Sequence, residues 1–306
     1  HGSGEANALV IQALTDPGDT VITEEYVYAG TLNQLQHYGA RIVGAPLDDD
    51  GIIPEAFDEL VGRLVREGRR PKFLYTIPEF QNPTGSTLPG HRRRQILDTA
   101  LRYGMAVIED DCYVDLRFEG ERQPSFRSLD PNGQVVHVAS FSKLLAPGLR
   151  MGYVTAPPEV LRRAHSFRSG GRANQFVALT IQSYLREHLD EHLDNIGPVL
   201  REKRDAMLSA LGETFGGSGA TWSTPQGGCY IWLSMPESVN MTELQPKCFE
   251  AGVGYLPGST FSPNGNGDHC ARLCYAYESP EKTRAGIELL ASLLDREGAF
   301  RGAPSP

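Results

Sequence analysis

Cysteine is sparse and dispersed. Five occur in 306 residues, Cys112, Cys229, Cys248, Cys270 and Cys274. No two form a C-x-x-C pair, which speaks against both a disulfide framework and a zinc site. A reducing, cytoplasmic setting suits that usage. Long apolar runs are missing too: none approaches the roughly 18 residues that a membrane-spanning helix requires. No basic stretch followed by an apolar one marks a secretory signal. Positive charge is in deficit, with 29 Lys and Arg against 38 Asp and Glu, a net charge of −9. A nucleic-acid footprint needs the opposite balance, so neither nucleic acid nor membrane is an expected partner. Fixed-period repeats are absent. What is present is 40% hydrophobic residues, enough for a globular core and too much for disorder. The length suits one large domain, or one large and one small.

Short β-rich runs alternate with longer amphipathic stretches. The runs are Thr20-Val21-Ile22, Arg41-Ile42-Val43, Phe73 to Ile77, Met105 to Ile108, Val135 to Val138 and Gly152-Tyr153-Val154. Helices are predicted between them near 30–38, 54–67, 90–103 and 158–168, with Pro54 opening one and Gly104 following another. The alternation implies an α/β fold, a three-layer αβα sandwich on a mostly parallel, mixed sheet. From about 187 the texture changes. Leu189, Leu193, Ile196 and Leu200 recur at helical spacing over 187–211, and Pro198 is expected to kink or break that helix. Strand-like runs at Cys229 to Leu233 and Ala271 to Tyr275 and a helix near 279–297 complete a smaller α+β part. The expected division is a large domain over 1–186, and a connecting helix plus C-terminal small domain over 187–306.

Lysine is rare, and four of the five have bland settings: Lys72 borders a strand, Lys247 sits in a polar segment, and Lys203 and Lys282 lie on charged helix faces. Lys143 differs. It stands just past a β-rich run, in Ser140-Phe141-Ser142-Lys143-Leu144-Leu145-Ala146-Pro147-Gly148-Leu149-Arg150-Met151-Gly152-Tyr153. A lysine at the end of a buried strand is placed to act as an amine nucleophile. Ser140, Ser142 and Arg150 add the hydroxyls and guanidinium that suit a phosphate. An amine beside a phosphate site is what pyridoxal phosphate (PLP) needs.

That segment resembles the cofactor-lysine segment of fold-type I, PLP-dependent aminotransferases of class I/II. The nearest group holds the 2-aminoadipate and kynurenine aminotransferases and the C-terminal domains of MocR regulators. The similarity runs over essentially the whole chain, with further motifs in order. It implies Lys143 as the catalytic residue that carries PLP as a Schiff base, with Ser140, Ser142 and Arg150 on the phosphate. In Pro78-Glu79-Phe80-Gln81-Asn82-Pro83-Thr84-Gly85 it implies that Asn82 meets the cofactor's ring oxygen and the substrate. In Glu109-Asp110-Asp111-Cys112-Tyr113, the family's D-x-x-Y spacing gives Asp110 the place beside the pyridine nitrogen, with Asp111 as competitor. Tyr113 then joins Asn82 at the ring oxygen. Gly2-Ser3-Gly4-Glu5 stands where the family has a Gly-Ser-Gln-Gln-like helix start. Ser3 and Gly4 thus lend N–H groups to the phosphate, and Glu5 is a departure. Tyr28 matches the aromatic that stacks on the ring, with Tyr26 as rival. Arg272 matches the anchor of the substrate α-carboxylate. Arg168 or Arg172 is a candidate for a second carboxylate. No metal is expected.

The activity implied is transfer of an amino group between an amino acid and a 2-oxo acid, 2-oxoglutarate being the expected co-substrate. The lysine motif alone leaves open another PLP reaction, by a lyase, decarboxylase or racemase, and a MocR-type domain that senses ligand without catalysis. The resemblance also implies a homodimer with its site at a two-fold interface. The chain does not open with methionine, and the resemblance implies a substantial further segment before this point that supplies part of the small domain.

Overall fold

The computed structural model describes residues 2–168, 170–171 and 173–300. The large part runs α1 (Ser3–Leu14), β1 (Thr20–Glu24), α2 (Ala29–His37), β2 (Arg41–Ala45), the short hairpin β3 (Leu47–Asp48) and β4 (Gly51–Ile52), α3 (Pro54–Arg66), β5 (Phe73–Thr76), α4 (Gly90–Arg102), β6 (Ala106–Asp111), α5 (Phe126–Leu129), β7 (Val135–Ser140), β8 (Gly152–Thr155) and α6 (Pro158–Ser166). There follow α7 (Gln175–Phe215), β9 (Thr221–Trp222), β10 (Tyr230–Ser234), α8 (Met241–Glu250), β11 (Leu256–Pro257), β12 (Cys270–Cys274) and α9 (Pro280–Arg296).

Six strands form one sheet in the order β2-β1-β5-β6-β7-β8. All neighbours are parallel except β7 and β8, which pair antiparallel. The sheet is therefore mixed and mostly parallel, as expected. Its inner strands β1, β5, β6 and β7 read as compact apolar runs because both faces are covered, whereas the edge strands β2 and β8 are partly exposed. Successive side chains point to opposite faces: Tyr75, Ile108, Val136 and Val138 pack with Val10, Ile11, Leu32 and Leu35 of α1 and α2. Leu74, Val107 and Val135 pack with Phe57, Ile96 and Phe126 of α3, α4 and α5. A second, antiparallel sheet runs β11-β12-β10-β9. It is backed by the last turns of α7, through Met207, Leu211 and Phe215, and by Ile287, Leu290 and Leu294 of α9.

At Pro198 the expected break of α7 is corrected. The helix does not break there but continues for 41 residues from an Asn174 cap that accepts from the N–H groups of Phe176 and Val177. Pro198 is exposed, and so is Asp194 four residues earlier. The carbonyl that loses its donor there is on the watered side, and buried Gly197 offers no side chain to crowd the ring, so the helix tolerates the proline. The strands β3, β4, β9 and β11 are two residues each, too short for any periodicity to announce them. Among the described residues no helix is long and apolar enough to cross a membrane.

The position of α1 on the sheet is what sets the site. Ile11 is fully buried there and Leu9 is only partly so. Ile11→Ala is expected to cost about 2–5 kcal/mol in urea unfolding, the range for an emptied core site, and Leu9→Ala less than half as much. Equal costs would contradict the placement of α1.

Candidate active site

The parallel strands β1, β5, β6 and β7 all end at one edge, where open α/β sheets collect ligand loops. Each strand end delivers at least one group expected from the sequence: Tyr28 after β1, Asn82 after β5, Asp110 and Tyr113 at and beyond the end of β6, and Ser140, Ser142 and Lys143 at and beyond the end of β7. The N-terminus of α1 arrives at the same edge. Gly152, paired with Ser140, makes this approach possible. A Cβ at 152 would stand 2.9 Å from the Ser3 nitrogen and 2.6 Å from the Ala139 carbonyl oxygen. A Cβ on Gly2, whose φ is +84°, would stand 3.1 Å from Arg150 Nη2. No side chain caps α1. Its first N–H groups, the Arg150 guanidinium and Ser140, whose Oγ accepts from the Ser142 N–H at 3.2 Å, converge into a cradle that suits an anion.

Asp110 is buried on the α1 face of the sheet. Its Oδ2 accepts from Asn7 Nδ2 of α1 at 2.6 Å and from the Tyr75 hydroxyl of β5 at 2.5 Å, and its Oδ1 from Cys112 Sγ at 3.2 Å. Burial pushes its carboxyl above the ordinary value, and these three donors pull it back. Asp111, the competitor, is turned to the opposite face by the alternation of the strand and meets His137 Nε2 at 3.0 Å. Asp110 and Asp111 therefore belong to different sides of the sheet.

Asn82, Tyr113 and Arg272 come together although they lie far apart in sequence. Asn82 Nδ2 donates to the Tyr113 hydroxyl at 3.3 Å, and Arg272 Nη1 of β12 donates to Asn82 Oδ1 at 2.8 Å. Burial pushes the Tyr113 hydroxyl well up, so it stays protonated, and can donate, at neutral pH. The Arg272 guanidinium lies 4.1 Å over the Tyr230 ring and 5.0 Å from that of Phe261. Its Nε is buried without an acceptor. Lys143 is exposed. Its charge pulls down the thiols of Cys112 and Cys229, which burial raises. Tyr28 caps α2 and is 44% exposed, whereas Tyr26 is engaged by Trp232 with ring centroids 5.0 Å apart. Arg168 is beside Glu5, Nε to Oε1 3.7 Å, in a cavity of about 260 Å³ between α1 and α6. Arg172 lies outside the described residues.

Sequence reasoning missed the supporting groups. Asn7 and Tyr75 carried no motif, and only the pairing of β5 with β6 and the seating of α1 bring them to Asp110. Glu24 was missed as well. Its fully buried carboxylate accepts from Thr76 Oγ1 at 2.7 Å, Gln81 Nε2 at 2.9 Å and the Ile77 N–H at 3.2 Å. It thereby ties β1 to the loop of Asn82. The signal was present: Glu24 is an acid ending an apolar run.

The residues fit the expected cofactor: a cradle of N–H groups, hydroxyls and a guanidinium for a phosphate, a buried carboxylate for a ring nitrogen, a phenol and an amide for a ring oxygen, and an amine within the same edge. Among the described residues no group of His, Cys, Asp and Glu could hold a metal ion. The family model for aminotransferase class I and II matches residues 1–290. Aromatic-amino-acid aminotransferase 1 of Thermococcus litoralis is 34% identical over 97% of this chain and 72% of that protein. The crystal structure of LysN, the alpha-aminoadipate aminotransferase of Thermus thermophilus, complexed with N-(5'-phosphopyridoxyl)-L-leucine, superposes with a TM-score of 0.90 at 32% identity, covering 98% of this chain and 76% of that one. The HTH-type transcriptional regulator YdfD of Bacillus subtilis is 31% identical over 96% of this chain and 60% of its own length.

Glu24 yields a pH prediction. Burial raises its carboxyl to about 7, against the pull of Gln81, Thr76 and Ile77. Between the unfolded value of 4.5 and about 7 the native state holds a proton that the unfolded state has lost. Stability contributed by this group is thus present at low pH and lost as pH rises through that window. The stability of wild type relative to Glu24→Gln should fall by up to ~3 kcal/mol between pH 4.5 and pH 8, as measured by urea unfolding. A difference that is flat or grows with pH would contradict the assignment.

Proposed function

The chain belongs to the aminotransferase class I and II family, in the group of the 2-aminoadipate and kynurenine enzymes, and is a PLP-dependent aminotransferase; we propose that it moves an amino group from an amino acid to 2-oxoglutarate. When bound, PLP supplies an electron sink that lets the bond to the substrate α-proton break. In our reading the chain does the rest. Lys143 Nζ holds the cofactor and moves the α-proton. The Asp110 carboxylate keeps the ring nitrogen protonated, and Asn7, Tyr75 and Cys112 hold that carboxylate in place. Asn82 and Tyr113 bind the ring oxygen, Tyr28 covers the ring, and Ser3, Gly4, Ser140, Ser142 and Arg150 bind the phosphate.

The observation that carries the proposal is the state of Arg272. It lies against the rings of Tyr230 and Phe261 and is bonded to Asn82, and still has a buried Nε without an acceptor. A guanidinium so held offers two parallel donors to a carboxylate, and an α-carboxylate is what every amino acid and 2-oxo acid brings. We propose also the division into 1–186 and 187–306, with α7 running through the junction. A second copy is the proposed partner. Phe176 at 84%, Leu179 at 60% and Tyr184 at 40% exposure on α7 support an apolar face that a dimer would cover. The similarity to YdfD favours a second reading, ligand sensing without turnover.

Turnover separates the readings. With L-2-aminoadipate, L-kynurenine or an aromatic amino acid as donor and 2-oxoglutarate as acceptor, glutamate should accumulate over many turnovers. Release of carbon dioxide or ammonia instead would point to another PLP reaction, and no turnover with any donor to a sensor. Arg272→Ala should raise KM for the donor about 100-fold, the loss of roughly 3 kcal/mol from two charge-assisted hydrogen bonds.

A further inference from the structure

The loop from Glu24 to Tyr28 is tied down on two sides. Glu24 secures it to the Asn82 loop. Glu25 points the other way, to the segment between β11 and β12. Its backbone N–H donates to the Ala45 carbonyl at 3.0 Å. Its carboxylate lies over Gly44, where a Cβ would come within 1.9 Å of Oε2, so no side chain can occupy position 44 without displacing it. Three side chains from more than 230 residues away then donate to this one carboxylate: Ser262 Oγ at 3.0 Å, Asn266 Nδ2 at 2.8 Å and Asn264 Nδ2 at 3.3 Å. The Ser262 oxygen in turn accepts from the N–H groups of Asn264 and Asn266, both at 3.1 Å, which curls the segment around Glu25. The Val27 N–H donates to the Phe261 carbonyl at 2.9 Å, and the Tyr26 ring meets Trp232.

We propose that Glu25 is a positioning residue: it fastens the segment Phe261–Gly267 to the exit of β1 and so holds Arg272 against Asn82. The path is short. Phe261 opens the segment and packs beside the Arg272 guanidinium. Arg272 itself sits on β12, which the segment leads into and which pairs with β11 at Leu256. Without the latch the antiparallel sheet has fewer ties to the loop that carries Tyr28, and Arg272 loses its fixed distance from the cofactor edge. Glu25 touches neither substrate nor the cofactor positions. Its effect therefore reaches substrate through Arg272 and leaves the cofactor's main hold, by Lys143, Asp110 and the phosphate cradle of the large sheet, unchanged. The inference rests on the reading of Arg272 as the carboxylate anchor.

The test uses the PLP-loaded enzyme and the variants Glu25→Ala, Glu25→Gln, Asn266→Ala and Glu25→Ala/Asn266→Ala. In Glu25→Ala, hydrogen–deuterium exchange should rise in peptides covering 258–268 and in those covering β12. KM for any donor that supports turnover should rise about 10-fold with kcat within about twofold and PLP retained through dialysis as in wild type, and the double variant should be no worse than the single one because both remove the same contact. Glu25→Gln, which keeps an acceptor oxygen, should restore most of the loss. Unchanged exchange on β12, additive losses in the double variant, or a fall in PLP retention alongside KM would overturn the proposal. If no donor supports turnover, that failure belongs to the functional reading, and exchange on β12 decides the positioning role by itself.

Discussion

A carboxyl at the floor of a buried sheet has to be compensated if it is to carry charge, and Asp110 is compensated by donors from α1, from β5 and from the end of its own strand. Leaving such a charge unpaired would cost several kcal/mol. Asn7 fixes the rotation of α1, and with it the direction in which the helix presents its N-terminus to Gly152, Ser140 and Arg150. Tyr75 comes from β5, the strand that leads to Asn82. Cys112 stands at the end of β6, within reach of the Lys143 charge. The requirement to stabilise one negative charge thus aligns the anion cradle, the amide loop and the amine along one edge.

The loop of Asn82 is held by a second buried charge system. Glu79 receives Arg93 Nη2 at 2.6 Å and also pairs with Arg117. Burial raises the Glu79 carboxyl against the pull of both guanidiniums. Arg117 also lies over the ring of Phe80, 4.6 Å from its centre. Phe80 has φ of +46°, a conformation that a bulky residue adopts only where its surroundings enforce it. The enforcement comes from the second sheet. A Cβ on Gly227 would fall 2.4 Å from the Phe80 ring, so the glycine pair before β10 is the seat for that ring. One motif residue therefore links the cofactor edge to the sheet that carries Arg272.

The sequence made the architecture legible because the inner strands of the large sheet are covered on both faces and read as compact apolar runs, while Pro54, Gly104 and the charged stretch after 187 mark the changes of element. The candidates Asn82, Asp110, Tyr113, Ser140 and Lys143 lie in contiguous motifs at strand ends, and a strand end is a place that the chain order reveals. Support from other elements is not. Asn7, Tyr75 and the donors to Glu25 are ordinary polar residues whose partners lie 35 to 241 positions away, and only sheet order and register bring them together. Alternation along β6 separates Asp110 from Asp111, which two adjacent letters could not. Pro198 misled for a related reason: whether a proline breaks a helix depends on which side of the helix faces water.

Aminotransferase chemistry at this site depends on Lys143 being the amine that carries PLP. Borohydride reduction of the PLP-loaded protein, followed by proteolysis and mass mapping, tests this directly. A single phosphopyridoxyl-labelled peptide containing Lys143 is expected, and none from Lys72, Lys203, Lys247 or Lys282. A label on any of those four, or no label on protein that has bound PLP, would contradict it.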